Sequence, residues 1–357
     1  MGRSKKTEGA AEAAPVSAVT DIIDHLRDTK VGYVNRMGDE QSVITVPKFL
    51  STGLPNVDHM LGGGIPAGRI TELYSKGEGV GKSSLAAHIM GEMQRLGGTV
   101  VLMDTEHGFT DDRLTALGAD PQEVIYMQPD HIEGACSLIS DVLKRVKEKH
   151  TDQPLLIVWD SVTGTVSRAE YNSSYEDVVQ IASGARAWSA NLKKLKDELA
   201  RSEVYCIMIC QTRTNIGQMY GDKQVSTGGM GLKYYAGQRI VMTKGPNPYL
   251  KDGPQKVGMK VSMETEKSRL AEPYQKAEAS LVFKYGYDRW KSLFDLLVKL
   301  EKVTQSGAWY TLEGVKESFY VKDFKKVIES LDAETAKSLK KTLLSARVNE
   351  DTLNYFF

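Results

Sequence analysis

Three groups of residues in this chain could do chemistry on phosphate. The first is the loop Ser75-Lys76-Gly77-Glu78-Gly79-Val80-Gly81-Lys82-Ser83-Ser84. Gly77, Gly79 and Gly81 lack a Cβ, so successive backbone N–H groups can turn inward around phosphate oxygens at the positive end of a helix. Lys82 would reach the β- and γ-phosphates, and the Ser83 hydroxyl would ligate Mg²⁺. The usual G-x-x-x-x-G-K-[ST] spacing wants its first glycine at 76, where this chain has Lys76 and places Gly77 one position later. Gly77, Glu78, Gly79, Val80, Gly81, Lys82, Ser83 and Ser84 are the candidate nucleotide contacts. An ordinary glycine-rich turn is the plain alternative.

The other two groups are acids and an amide, each at the end of an apolar run. Leu155–Trp159 closes on Asp160, which would hold the Mg²⁺ through water or simply cap a loop. Asp104-Thr105-Glu106-His107 follows Thr99–Met103, and Glu106 could orient or deprotonate an attacking water. Cys210-Gln211-Thr212-Arg213 follows Val204–Ile209. The Gln211 amide could sense a γ-phosphate or merely anchor a loop.

Such groups need a frame. The strand-like Arg69–Tyr74 enters the loop and the helix-like Leu85–Arg95 leaves it. Beyond lie Thr99–Met103, Val124–Met127, Leu155–Trp159 and Val204–Ile209, separated by helical patterns. Uniformly apolar strands alternating with helices imply an α/β fold with a mostly parallel sheet covered on both faces. Functional groups then belong at the carboxyl ends of the strands.

The chain has 357 residues, 46 basic and 46 acidic, so its overall charge says nothing for nucleic acid and local placement must carry that case. Cys136, Cys206 and Cys210 are odd in number and lack metal-ligand spacing with histidine, which fits a reducing, cytoplasmic setting. No apolar run approaches the roughly 18 residues of a membrane span, so no membrane partner is expected. Residues 1–17 have the composition of a disordered or tethering segment. Val19–Arg27 reads as an amphipathic helix whose stripe must pack on a neighbouring subunit or on its own domain.

Read in order, G-R-I-T-E-L-Y (68–74), G-K-S (81–83), M-D-T-E-H (103–107), V-W-D-S (158–161), Q-T-R-x-x-I-G (211–217), T-G-G-x-x-L-K-Y-Y-A (227–236), E-K-S-R (266–269) and G-A-W-Y (307–310) resemble the bacterial RecA recombinases and the related phage recombinases of the UvsX kind. The resemblance implies a RecA-type P-loop ATPase core at 48–286. An oligomerisation segment at 1–47 and a small C-terminal α/β module at 287–357 complete the chain. It implies an ATP- and Mg²⁺-dependent, DNA-dependent ATPase that forms a helical filament of copies of itself on single-stranded DNA. Such a filament pairs that strand with homologous double-stranded DNA and exchanges strands, with single-strand-binding and loader proteins as further partners. Lys82 and Ser83 fall on the phosphate and Mg²⁺ positions, Glu106 on the catalytic glutamate, and Asp160 on the Walker B acid. Gln211 falls on the glutamine linking γ-phosphate to DNA.

Two loops are then expected to bind DNA. After the polar stretch 164–180, Arg186, Ser189 and Lys193 share one helix face and suit successive phosphates. In the second loop, from Arg213 to Gly229, Ile216 and Met219 are apolar residues suited to wedge between stretched bases, and Thr227, Gly228 and Gly229 open a helix whose N–H groups would face a phosphate. By the same resemblance Lys267 and Arg269 reach the ATP of the next subunit, as arginine fingers do. Lys322, Lys325, Lys326, Lys337, Lys340 and Lys341 mark a C-terminal surface that gathers duplex DNA or is only solvated. The segment Gly108–Arg113 departs from the family run that contacts adenine, leaving Arg113, Phe283 and Tyr285 as candidates. A ring-forming motor on the same core and a regulatory ATPase without DNA are the rival functions.

Overall fold

Leu155–Asp160 (β4) is apolar as far as its terminal aspartate because it has helices on both sides. A computed structural model describes residues 18–28, 48–149, 153–174, 183–214, 224–226 and 229–357. In it β4 pairs in parallel with β2 (Thr99–Asp104) on one side and β5 (Val204–Cys210) on the other. Side chains alternate between faces with a period of two. Val158 joins Leu102, Leu73 and Ile207 against α3 (Lys82–Arg95). Ile157 and Trp159 join Val101, Met103 and Met208 against α5 (Ile132–Lys149) and α6 (Ser183–Ala200).

The full sheet has nine strands. With β1 at Ile70–Ser75, β3 at Val124–Met127, β6 at Gln238–Asp252, β7 at Gln255–Ser268, β8 at Lys276–Val282 and β9 at Gly286–Tyr287, the order is β9-β8-β7-β6-β1-β5-β4-β2-β3. Pairing is parallel from β6 through β1 to β3 and antiparallel from β6 to β9. The mostly parallel, doubly covered sheet expected from the apolar runs is thus present. Three strands differ from expectation. β3 lies at the edge of the sheet, and its Ile125 and Tyr126 are exposed. β6 and β7 form a far longer hairpin than Met259–Met263, since Gly245, Pro246 and Pro248 interrupt the apolar pattern without ending the pairing.

Met1–Val46 and Pro47–Phe357 are separate compact units. Within the first, α1 (Ala18–Asp28) presents Val19, Ile22 and Leu26 on its surface. Within the second, α8 (Arg289–Lys299) begins a C-terminal part with a core of its own, in which Leu293, Leu297, Phe324 and Leu343 pack together. This part is tied to the core near α2 (Pro55–Leu61) through the buried Asp58. The Asp58 carboxylate accepts from Thr52 N at 2.8 Å, from Thr52 Oγ1 at 2.6 Å, and from the Thr352 hydroxyl.

Candidate active site

Ser75, Asp104, Asp160 and Cys210 end four adjacent parallel strands at nearly one level, because Asp104 pairs with Asp160, Asp160 with Ile209, and Tyr74 with Cys210. The phosphate loop leaves this edge from β1. Left-handed conformations fall on Gly77 (φ +104°), Gly79 (φ +58°) and Gly81 (φ +94°) and not on Lys76. The shift of the first glycine by one position therefore costs the loop nothing in backbone strain. Lys76 instead donates its N–H to Met242 O at 3.0 Å, extending the pairing with β6. Gly81 caps α3 with no side-chain bond, so the first-turn N–H groups of that helix remain for an anion.

Lys82 Nζ donates to Ser75 Oγ at 2.8 Å. Burial pulls its pKa below the usual lysine range, while the carboxylates of Asp160 and Glu106 oppose that fall. Ser83 Oγ donates to Asp160 Oδ2 at 2.5 Å. Burial pushes Asp160 up to about 6, against the lowering effect of the Ser83 bond, and Glu106 and Asp104 add to the rise. A divalent cation would offset that cost. A hydroxyl and a carboxylate, both hard oxygen donors in contact, fit Mg²⁺ and leave room for the waters it keeps.

Glu106 is held in place by its neighbours. Asp104 accepts the Glu106 N–H at 3.0 Å, which shapes the turn after β2. Glu106 Oε1 accepts from Gln211 Nε2 at 2.7 Å and from the Ser161 hydroxyl. Gln211 N in turn donates to Thr163 Oγ1 at 3.0 Å. The phosphate loop, Glu106 and Gln211 all line one cavity of about 770 Å³. Carboxylate, amide, lysine and bare helix start converge there, an arrangement able to hold a polyphosphate and place a water beside it.

Past Gln211, the strand Thr212–Thr214 pairs with Gln224–Ser226, Arg213 opposite Val225. Thr212 Oγ1 donates to Ser75 O at 2.9 Å, so this ribbon is rooted in the strand that carries the phosphate loop. Ile216, Met219, Thr227 and Gly228 lie outside the described residues. Gly229 starts α7 (Gly229–Tyr235). Arg186, Ser189 and Lys193 are exposed on α6, and a Cβ at Gly231 of α7 would stand 3.5 Å from Ser189 Oγ. The α6 face and the start of α7 are therefore adjacent.

Lys267 and Arg269 do not line the cavity. Lys267 pairs across from Arg239, which is level with Glu72, three residues before Ser75. At about 3.3 Å per residue and two strand spacings of about 4.8 Å, Lys267 sits roughly 14 Å from the start of the loop. Its Nζ donates to Lys233 O at 2.9 Å and Tyr234 O at 3.0 Å, at the end of α7.

Several lining residues escaped the sequence reading. Lys244 follows the apolar part of β6 and brings its ammonium to 3.6 Å from where a Cβ on Gly79 would stand. Tyr249 and Met259 come from the long hairpin, and Leu281 from β8. Ser161 stood in the V-W-D-S motif but had no role; its peptide bond to Asp160 is cis. The three cysteines are buried and unpaired, and among the described residues no cluster of metal-ligating side chains occurs and no helix is long and apolar enough to cross a membrane.

The family model described as the RecA N-terminal domain matches residues 18–288. The protein called Protein RecA in Chlorobaculum tepidum is 35% identical over 281 residues, 78% of either chain. That of Chloroherpeton thalassium is 36% identical over 286 residues, covering 80% of this chain and 77% of its own. That of Saccharopolyspora erythraea is 36% identical over 284 residues, 79% of either.

Proposed function

The chain belongs to the RecA family, the proteins of ATP-dependent recombination and strand exchange, and from that premise we propose how its residues divide the work. Members of the family are in general DNA-dependent ATPases that use ATP with Mg²⁺. Here the N–H groups of Gly77–Ser84 and Lys82 hold the triphosphate, and Ser83 with Asp160 holds the magnesium. A magnesium ion so bound would draw charge from the phosphate oxygens. Glu106 has Oε1 occupied by Ser161 and Gln211, which leaves Oε2 to accept a proton from the attacking water. Gln211 passes the state of the γ-phosphate to the ribbon at Thr212–Thr214 and so to the loop through Ile216, Met219 and Thr227–Gly229. Arg186, Ser189, Lys193 and Arg213 grip the phosphates of single-stranded DNA.

Lys267 and Arg269 lie too far from the phosphate loop of their own chain to touch its nucleotide, so they serve the site of the next copy. That contact is heterologous and open, and it builds a helical filament. The amphipathic α1 packs on the neighbouring subunit, and the C-terminal lysines gather the duplex. The observation that carries the reading is the Gln211 bond to Glu106. One side chain touches the catalytic carboxylate at the residue where the DNA ribbon begins.

The test is ATP hydrolysis with and without a single-stranded oligonucleotide, alongside electron microscopy of the chain with DNA and an ATP analogue. A large DNA-dependent rise that falls with salt, together with helical filaments, is expected. Equal rates with and without DNA would favour the regulatory ATPase, and closed rings the motor.

A further inference from the structure

Three cations line the cavity beside the phosphate loop, and they differ in what holds them. Lys82 donates to Ser75 Oγ at 2.8 Å. Arg113, in the first turn of α4 (Asp111–Ala116), donates from Nη2 to Ser84 Oγ at 2.8 Å and from Nη1 to Phe283 O at 3.0 Å. Lys244 is exposed, and its side chain makes no hydrogen bond or ion pair among the described residues. The sheet explains where it stands. β6 runs parallel beside β1 with Met242 opposite Ser75, so Lys244 lies two residues, roughly 7 Å, past the level at which the phosphate loop leaves. Ile240 and Met242 are buried in the core that packs on α3, as is Val261, which faces Lys244 across the β6–β7 pairing. With a strand period of two, Lys244 falls on that same face, the one that carries the loop and α3. Its ammonium stands 3.6 Å from where a Cβ on Gly79 would be.

Resting on the nucleotide site proposed above, we infer that Lys244 is a second phosphate-binding lysine, supplied by the β6–β7 hairpin to the nucleotide of its own chain. The electrostatics require an anion there. The loop heads α3, whose first-turn N–H groups carry partial positive charge, and Lys82 adds a full one. A further ammonium beside them is repelled by both. Glu78, which precedes Gly79, forms no ion pair with Lys244 among the described residues. A polyphosphate on the loop turns this repulsion into attraction for every member of the group. A lysine suits that task, since its ammonium is a compact charge with three donors on a long stem and can follow a phosphate without a fixed planar fit.

The experiment is calorimetric titration of the full chain with ADP and with a non-hydrolysable ATP analogue, with Mg²⁺ and without DNA. Lys244→Ala should raise both Kd values about tenfold, as loss of one charge-assisted hydrogen bond does. The side chain has no protein partner to lose, so the fold is spared. Lys244→Arg, which keeps the charge, should stay within about threefold of the unmodified chain. Lys251→Ala removes an exposed cation of the same hairpin that does not line the cavity, and should change neither Kd. In DNA-stimulated hydrolysis Lys244→Ala should raise KM and leave kcat nearly unchanged. Unchanged Kd values in Lys244→Ala would overturn the inference and leave the nucleotide site standing, and a loss of single-strand affinity in their place would assign this lysine to DNA. An equal loss in Lys251→Ala would also overturn it, because any hairpin charge would then serve. An unmodified chain that bound neither nucleotide would overturn the nucleotide site itself.

Discussion

Two inactive chains mixed together give the most direct test of a site shared between copies. Lys267→Ala with Arg269→Ala removes the cations proposed to act in trans and spares the phosphate loop, Glu106 and Gln211. Lys82→Arg disables the loop and spares the cations. Alone, each variant should fall about 10³-fold or more in kcat, as loss of a charge-stabilising finger does. The first should still bind nucleotide, because Lys267 sits roughly 14 Å from its own loop and bonds to α7 instead. In an equimolar mixture, an interface works only when the first variant supplies the loop and the second the cations. Random co-assembly makes that ordered pair in about a quarter of heterologous interfaces, so DNA-stimulated phosphate release should recover to about a quarter of the unmodified rate. The recovered rate should follow the product of the two fractions as the ratio is varied. Fluorescent labels on each variant would report whether they share assemblies. Labels in contact without any recovery would refute the trans assignment, and so would normal turnover by the Lys267→Ala, Arg269→Ala chain alone.

Glu106→Gln keeps an acceptor for Ser161 and Gln211 but cannot take a proton, so hydrolysis should drop by about 10²- to 10⁴-fold with ADP affinity retained; an unchanged rate would remove Glu106 from its role. Ser189→Ala with Lys193→Ala should weaken single-strand binding and reduce the slope of log K against log salt by about 0.7, the release expected for one phosphate, whereas an unchanged slope would make this face merely solvated. His88 is buried in α3, and burial together with the nearby Arg289 charge pushes its imidazole down to about 4. The unfolded chain protonates this residue near pH 6.5 and the folded chain does not, so the contribution is complete above about 6.5 and lost as pH falls towards 4, by about 3 kcal/mol. Asp58, pushed up to about 7 by burial, acts the other way across the same window, so the comparison is urea unfolding of His88→Asn against the unmodified chain at each pH. Parallel curves would show that His88 titrates alike in both states.

Much of the site was legible because its parts are contiguous. Gly77, Gly79, Gly81, Lys82 and Ser83 lie together on one turn, and types and spacing reveal such a turn without reference to anything distant. Asp160 and Glu106 were legible for a related reason, each lying at or just past the end of an apolar strand. The resemblance supplied Gln211, which its own neighbours left undecided. Lys244, Tyr249 and Met259 were not legible, since they sit on a hairpin whose glycine and prolines hide its pairing.

By itself, then, the amino-acid order determined the doubly covered sheet, the phosphate loop and the acids at the strand ends. Those follow from hydrophobic period and covalent adjacency. Only the tertiary structure decided that Ser161 and Gln211, 55 and 105 residues from Glu106, meet on one of its oxygens. It alone pinned Arg113 between Ser84 and a carbonyl 170 residues away, and set Lys267 across from Arg239, away from the loop that follows β1. The reason is that which strands lie side by side, and in what register, is settled by pairing and packing across the whole sheet, and spacing along the chain carries no record of it.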